Sequence, residues 1–268
     1  MAAPVPLTDP LVAGALPSEA LVEGMRRWFW LEAKDPEDLI PRIFNVHTSQ
    51  KAQESDYSMT TIGTFVEKGP LQNFEYEQIG KGYKSTYTHA TYGKGVRTEK
   101  EAIDDEQYGL LKKRSQLLAN SAKRTRARHW VTWLELGFTT AWNSTEGQYL
   151  FDTDHPLDPR AGTPPSPHAA GYGENLITGG LSIANLQLAI QMLQTCPDAM
   201  GEPMELQAKY LLVPSDLQFL AKQILKSAGE YDSPNNTINT IANAMEVIVV
   251  PRFTNATNWY VVADKTEL

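Results

Sequence analysis

The sequence predicts an α+β protein built around one very long helix, and three observations predict it. Residues 60–98 are rich in Thr, Tyr, Val and Phe, side chains that suit a pleated strand. Residues 99–138 contain no proline and repeat Leu, Ala and Val at helical spacing. From residue 181 onward short helical and strand patterns alternate, as in a compact α+β unit.

With 268 residues, the chain is long enough to bury a substantial core. Its net charge of -8 and pI near 5.2 exclude a nucleic-acid binder that uses its whole surface, so any basic work is local. Cys196 is the single cysteine, which excludes an intrachain disulfide and a thiolate metal cluster and fits a reducing compartment. An inert buried thiol is its ordinary explanation. The first residues are broken by Pro4, Pro6, Pro10 and Pro17 and carry Asp9, Glu19 and Glu23, unlike a secretory signal. No apolar run approaches the ~20 residues needed to span a bilayer, so a soluble protein is expected, with no membrane partner.

Residues 1–65 read as an arm that gains order by lying on something else, with Trp28, Phe29 and Trp30 as its apolar spot; the bland alternative is a frayed terminus. Next, near-alternation at Phe74, Tyr76 and Gln78, and again at Tyr87, His89 and Thr91, predicts a long exposed β-ribbon. Gly-Lys-Gly triplets at 80–82 and 93–95 interrupt it, and glycine within strand pattern marks turns or bulges. Lys81, Lys84, Lys94 and Arg97 stand here with no carboxylate between Glu77 and Glu99.

The helix expected over about 104–137 would be roughly 50 Å long at 1.5 Å per residue. Glu99, Glu101, Asp104, Asp105 and Glu106 crowd its start, where the helix dipole favours negative charge. Leu110, Leu111, Leu117, Leu118, Ala122, Val131 and Leu134 form its expected apolar stripe. Lys112, Lys113, Arg114, Lys123, Arg124, Arg126 and Arg128 follow with no acid between Glu106 and Glu135. A solvated face is the usual reading of such a run. Seven cations without local partners on an acidic chain point instead to a neighbour's carboxylates or a polyanion.

Short strands are expected around 143–147, then a long Pro/Gly loop to about residue 180. Ser182 is placed to cap a helix over Ile183–Leu193, and LQAKYLLVP reads as a buried strand. Ser215 is placed to cap a second helix over Asp216–Ser227, and strands are expected at Glu246–Pro251 and Trp259–Ala263.

For chemistry the best stretch is FDTDHP, residues 151–156, where Asp152, Asp154 and His155 have ligand-type side chains. A metal site needs a further ligand from a distant segment, and His47, His89, His129 and His168 show no matching pattern. Asx turns leading into a proline are the commoner explanation. His89 is better read as a cross-strand partner than as a catalyst. The Gly-Lys-Gly triplets lack the helix that a phosphate-cradling loop feeds. No catalytic residue, cofactor or metal ligand is assigned.

The order of elements resembles the major capsid proteins of tailed bacteriophages with the Hong Kong 97 (HK97-like) fold, in particular the Mu-like major head subunit group. The resemblance is carried by EAIDDEQYGLL (101–111), ELGFTTAWNSTEGQYLFDTDHP (135–156), GEPMELQAKYLLVPSDLQFLAKQIL (201–225) and VIVVPRFTNATNWYVVAD (247–264), and with the ribbon spans about 70–264. It implies an N-terminal arm over 1–65, an extended E-loop hairpin over 66–98, a P-domain with its spine helix over 99–180, and an A-domain over 181–268. It further implies a non-enzymatic subunit that forms hexamers and pentamers of an icosahedral shell around double-stranded DNA, with scaffold, portal or decoration proteins as further partners. Such a protein is made in the host bacterial cytoplasm and ends in the virion.

Lys81, Lys84, Lys94, Arg97, Trp28 and Trp30 are then the expected inter-subunit contacts. In that family the chain continues past the strand that Trp259–Asp264 resembles, so a C-terminal return to the P-domain is expected to be absent here. Two alternatives stand beside this reading. One is an encapsulin-like nanocompartment shell, and the other a metal-dependent hydrolase using Asp152, Asp154 and His155.

Overall fold

The computed structural model describes residues 18–34, 38–97 (except 61, 64, 66, 75, 77 and 78), 108–139, 146–157, 172–198, 201–227, 229 and 238–265. The chain divides into two compact units, residues 1–50 with 89–130, and residues 51–88 with 131–268.

In the first unit, α1 (Ser18–Ala33), α2 (Ile40–Ile43) and the greater part of α3 (Tyr108–Leu136) come together. The helix α3 runs 29 residues, about 44 Å at 1.5 Å per residue. The five acids expected at its start lie outside the described residues. Its buried stripe matches the expected one in part: Leu111, Val131 and Leu134 are buried, but Ser115 and Ala119 join them inside while Leu110 and Leu117 face solvent. Ser115 is tolerated inside because its Oγ donates to the Leu111 carbonyl at 3.2 Å. Part of the expected arm lies on this helix. Gln116 Nε2 donates to Glu32 Oε2 at 3.3 Å, Phe44 packs edge-on to the buried Trp130 at 6.1 Å, and Arg126 pairs with Asp38 at 2.9 Å.

In the second unit, β5 (Ala208–Val213) is the central strand of a three-stranded sheet, parallel to β6 (Glu246–Val249) and antiparallel to β7 (Tyr260–Ala263). Leu211, Leu212 and Val213 are consecutive and fully buried, so both faces of β5 are covered, which is why it reads as a continuous apolar run. Helices α4 (Ile183–Gln194) and α5 (Gln218–Lys226) bury Leu186, Ala221, Ile224 and Leu225 with it. Each buried leucine or isoleucine among them contributes roughly 1.5–3 kcal/mol relative to exposure.

Ser182 caps α4 as the sequence predicts: its backbone is extended and its Oγ accepts from the Asn185 N–H at 3.2 Å. Ser215 does not cap α5. Pro214 carries the chain out of β5 in extended conformation, and residues Ser215–Leu217 form a 3₁₀ turn that enters the helix without a side-chain cap.

The ribbon also forms, but from a different partner. The strand β2 (Lys81–Thr88) pairs antiparallel with β1 (Gln53–Met59), which the sequence reading placed in the arm. Phe74 and Tyr76 lie outside any strand, and His89 follows the last ladder pair, Gln53↔Thr88. The glycine expectation holds at Gly82, where the register shifts between Tyr57 and Met59 and two residues of β2 oppose Ser58. The strands expected around 143–147 fall largely outside the described residues, as does the loop at 158–171, which separates the short pair β3 (His155–Pro156) and β4 (Tyr172–Gly173).

Candidate assembly surfaces

The ribbon is two strands with little to bury. Six of the seven β1 residues are exposed, and a lone two-stranded ribbon is marginally stable in water. At one end Thr60, itself buried, closes it: Thr60 N donates to Gly80 O at 3.1 Å and Gly80 N donates to Thr60 Oγ1 at 2.8 Å. Around it large apolar side chains stand in solvent, with Met59 at 78%, Phe65 at 104%, Leu71 at 103% and Tyr76 at 89% relative exposure. Lys81 and Lys84 place their ammonium groups 5.2 and 5.8 Å from the centre of the Tyr57 ring, so one aromatic side chain holds two cations nearby.

Lys94 and Arg97 are exposed on the segment after β2, in the first unit, and the Arg97 carbonyl accepts from Arg114 Nη1 at 3.4 Å. Trp28 is half-buried on α1 and Trp30 is 57% exposed. Of the helix cations, Lys112, Lys113, Arg124, Arg126 and Arg128 are exposed while Arg114 and Lys123 are half-buried. Sequence reasoning left all seven without a partner in their own chain. Arg126 has one, Asp38, which the sequence hides because the two lie far apart along the chain.

The FDTDHP cluster does not come together as a ligand set. His155 Nδ1 lies 2.7 Å from Glu146 Oε1 and its Nε2 lies 3.3 Å from Asn175 Oδ1, so both ring nitrogens are occupied. Asp152 Oδ1 accepts from the Thr153 N–H at 2.8 Å, a local bond of the sort Asx motifs make. Glu146 and Asn175 were missed from sequence because common residue types at separations of 9 and 20 carry no signal. Burial pushes the Cys196 thiol up, away from the thiolate form a nucleophile needs.

The family model described as "Phage capsid protein" matches residues 82–268. The chain belongs to the phage capsid protein family. As a capsid protein, it is a structural subunit of a bacteriophage shell, and its exposed apolar and basic surfaces are read in that light. None of the curated proteins compared matches it.

Among solved structures, "Bacteriophage JBD30 capsid" aligns with this capsid protein at 14% identity and a TM-score of 0.64, covering 83% of this chain and 92% of that one. The structure titled "Procapsid of bacteriophage JBD30 computed in I4 symmetry" aligns at 14% identity and 0.59, covering 88% and 100%. A third, the JBD30 capsid decorated with minor capsid protein trimers, gives 14% and 0.61, covering 82% and 92%. The capsid protein therefore shares an α+β capsid fold with them. Neither an encapsulin-like shell nor a hydrolase is favoured.

Proposed function

We propose that this capsid protein is an HK97-like subunit of the Mu-like major head group, in which residues 66–98, joined by the strand at 53–59, act as the E-loop. The observation that carries this reading is the ribbon itself: a two-stranded element with almost no core of its own and large apolar side chains in solvent. A neighbouring subunit lying under the ribbon would cover that surface. Residues 1–65 then serve as arm, 99–180 as P-domain with α3 as its spine, and 181–268 as A-domain. Copies assemble as hexamers and pentamers of an icosahedral shell around double-stranded DNA, made in the host bacterial cytoplasm, with scaffold, portal and decoration proteins as partners.

Lys81, Lys84, Lys94, Arg97, Trp28 and Trp30 contact neighbouring copies, and exposed cations of α3 meet carboxylates or DNA phosphates. Electrostatic pairing of this kind favours register and encounter more than raw affinity. The test is the triple replacement of Lys81, Lys84 and Arg97 by Ala, followed by sedimentation and negative-stain microscopy. Folded monomer with fewer particles is expected, and the deficit should be largest at low salt, where exposed charge pairs are least screened. Particle yield equal to that of the parent at every salt concentration would overturn the ribbon's role.

A further inference from the structure

His155 on β3 is held in a setting where both ring nitrogens face acceptors, Glu146 Oε1 at 2.7 Å and Asn175 Oδ1 at 3.3 Å. The Asn175 amide cannot turn to relieve the second contact. Its Oδ1 accepts from the Asp152 backbone N–H at 2.8 Å and its Nδ2 donates to the Leu150 carbonyl at 2.8 Å. A flipped amide would set donor against donor and acceptor against acceptor. A neutral imidazole has one N–H, so one of its two contacts would bring lone pairs together; an imidazolium donates at both.

We propose that His155 is a proton-dependent clasp: as imidazolium it ties the segment carrying Glu146 to the segment that follows β4 through Asn175, and on losing its proton it releases one side. Nothing in this inference depends on the ribbon's role. Among the described residues, the charged groups that act on the ring are acidic, Glu146 opposite Nδ1 and Asp152 near it; Asp154 precedes His155 in sequence and Glu174 precedes Asn175. Burial acts to lower the His155 pKa, but the hydrogen bond and charge of Glu146, with Asn175 and Asp152, outweigh it and hold the group above its ordinary value. A raised histidine stabilises the fold fully below the unfolded pKa of about 6.5, and that stabilisation is lost as pH rises through the higher folded value.

The clasp is tested on the full chain as unassembled subunit, carrying ¹³C-labelled histidine. The ring signal of His155 is assigned by its disappearance in His155→Gln. In the unmodified protein it should titrate above about 6.5, and Glu146→Gln should move it down by about one pH unit. A melting midpoint that falls from pH 6 to 8 in the parent, and is flat over that range in His155→Gln, is expected beside it. A merely structural histidine would lower the midpoint of the variant equally at every pH. Titration at or below about 6.5, or an equal loss at all pH values, overturns the clasp; if Glu146→Gln fails to fold, the parent titration alone decides.

Discussion

Glu135 in the last turn of α3 and Thr254, 119 positions further on, meet at a single carboxylate oxygen: Oε1 accepts from the Thr254 N–H at 2.5 Å and from its Oγ1 at 3.0 Å. The Asn255 N–H adds a third bond at 3.2 Å. One acceptor thus serves the turn between β6 and β7, whose backbone donors would otherwise depend on water. Replacing Glu135 by Ala should lower the unfolding free energy by about 2 kcal/mol, as hydrogen bonds to a charged group do. Glu135→Gln keeps an oxygen at the site and should lose less. Urea denaturation of both variants checks this, and equal losses would count against the bonds as the cause.

Leucines tell core from surface. Leu211 is fully buried in β5, and Leu211→Ala should cost about 2–5 kcal/mol through lost transfer energy and the cavity left behind. Leu117 on α3 is 61% exposed, and Leu117→Ala in the isolated subunit should stay within about 0.5 kcal/mol of the parent. Chemical unfolding of the two variants measures the contrast. A large loss at Leu117 would mean that its face is covered in the free subunit.

The legible parts of this fold were those with local causes. The continuous apolar run of β5, the strands at 246 and 260, the Ser182 cap and the long proline-free helix each write themselves into a few consecutive residues. The strand β1, QESDYSM, does not, because its apolar content is slight and its partners lie far along the chain, Thr88 opposite Gln53 and Lys81 opposite Met59. The α3 stripe was legible only in part for a similar reason: Leu111, Val131 and Leu134 are buried as expected, but Ser115 is polar yet buried and Leu117 apolar yet exposed, and only neighbours distant in sequence decide which face is covered. The FDTDHP run drew attention by adjacency, whereas His155 is held by Glu146 and Asn175, brought to it by the pairing of β3 with β4 and the turns beside it.

Tyr260 gives an alkaline signature. Burial is the main cause that pushes its hydroxyl up to about 12; Asn258 acts in the opposite sense and the Glu135 charge adds to the rise. The hydroxyl makes no hydrogen bond among the described residues. The fold therefore favours the protonated form, and the sign follows: stability from this group is constant below the ordinary tyrosine value near 10 and declines as pH rises through about 12, because the unfolded chain releases its proton first. Tyr260→Phe should match the parent at neutral pH and lose less stability above pH 10. Melting curves of both proteins from pH 8 to 12 check it, and parallel curves throughout would contradict the assignment.

The ribbon's bulge supplies the last test. A Cβ built on Gly82 would lie 2.1 Å from Ser58 Oγ and 3.0 Å from the Ser58 carbonyl oxygen, so any side chain there must push the two strands apart. Gly93 in the second triplet has nothing within 4 Å, and Gly93→Ala should be tolerated. Gly82→Val should speed hydrogen exchange at the amides of β1 and reduce particle yield, while the apolar core around Leu211 and Ile224 keeps its melting midpoint, since the ribbon's own side chains are mostly exposed. Removing the hydroxyl with Ser58→Ala in the Gly82→Val background should restore little, because the backbone oxygen still obstructs the new side chain. Particles at parental yield despite faster exchange over β1 would show that ribbon geometry does not govern assembly, and unchanged exchange would show that the bulge tolerates a side chain.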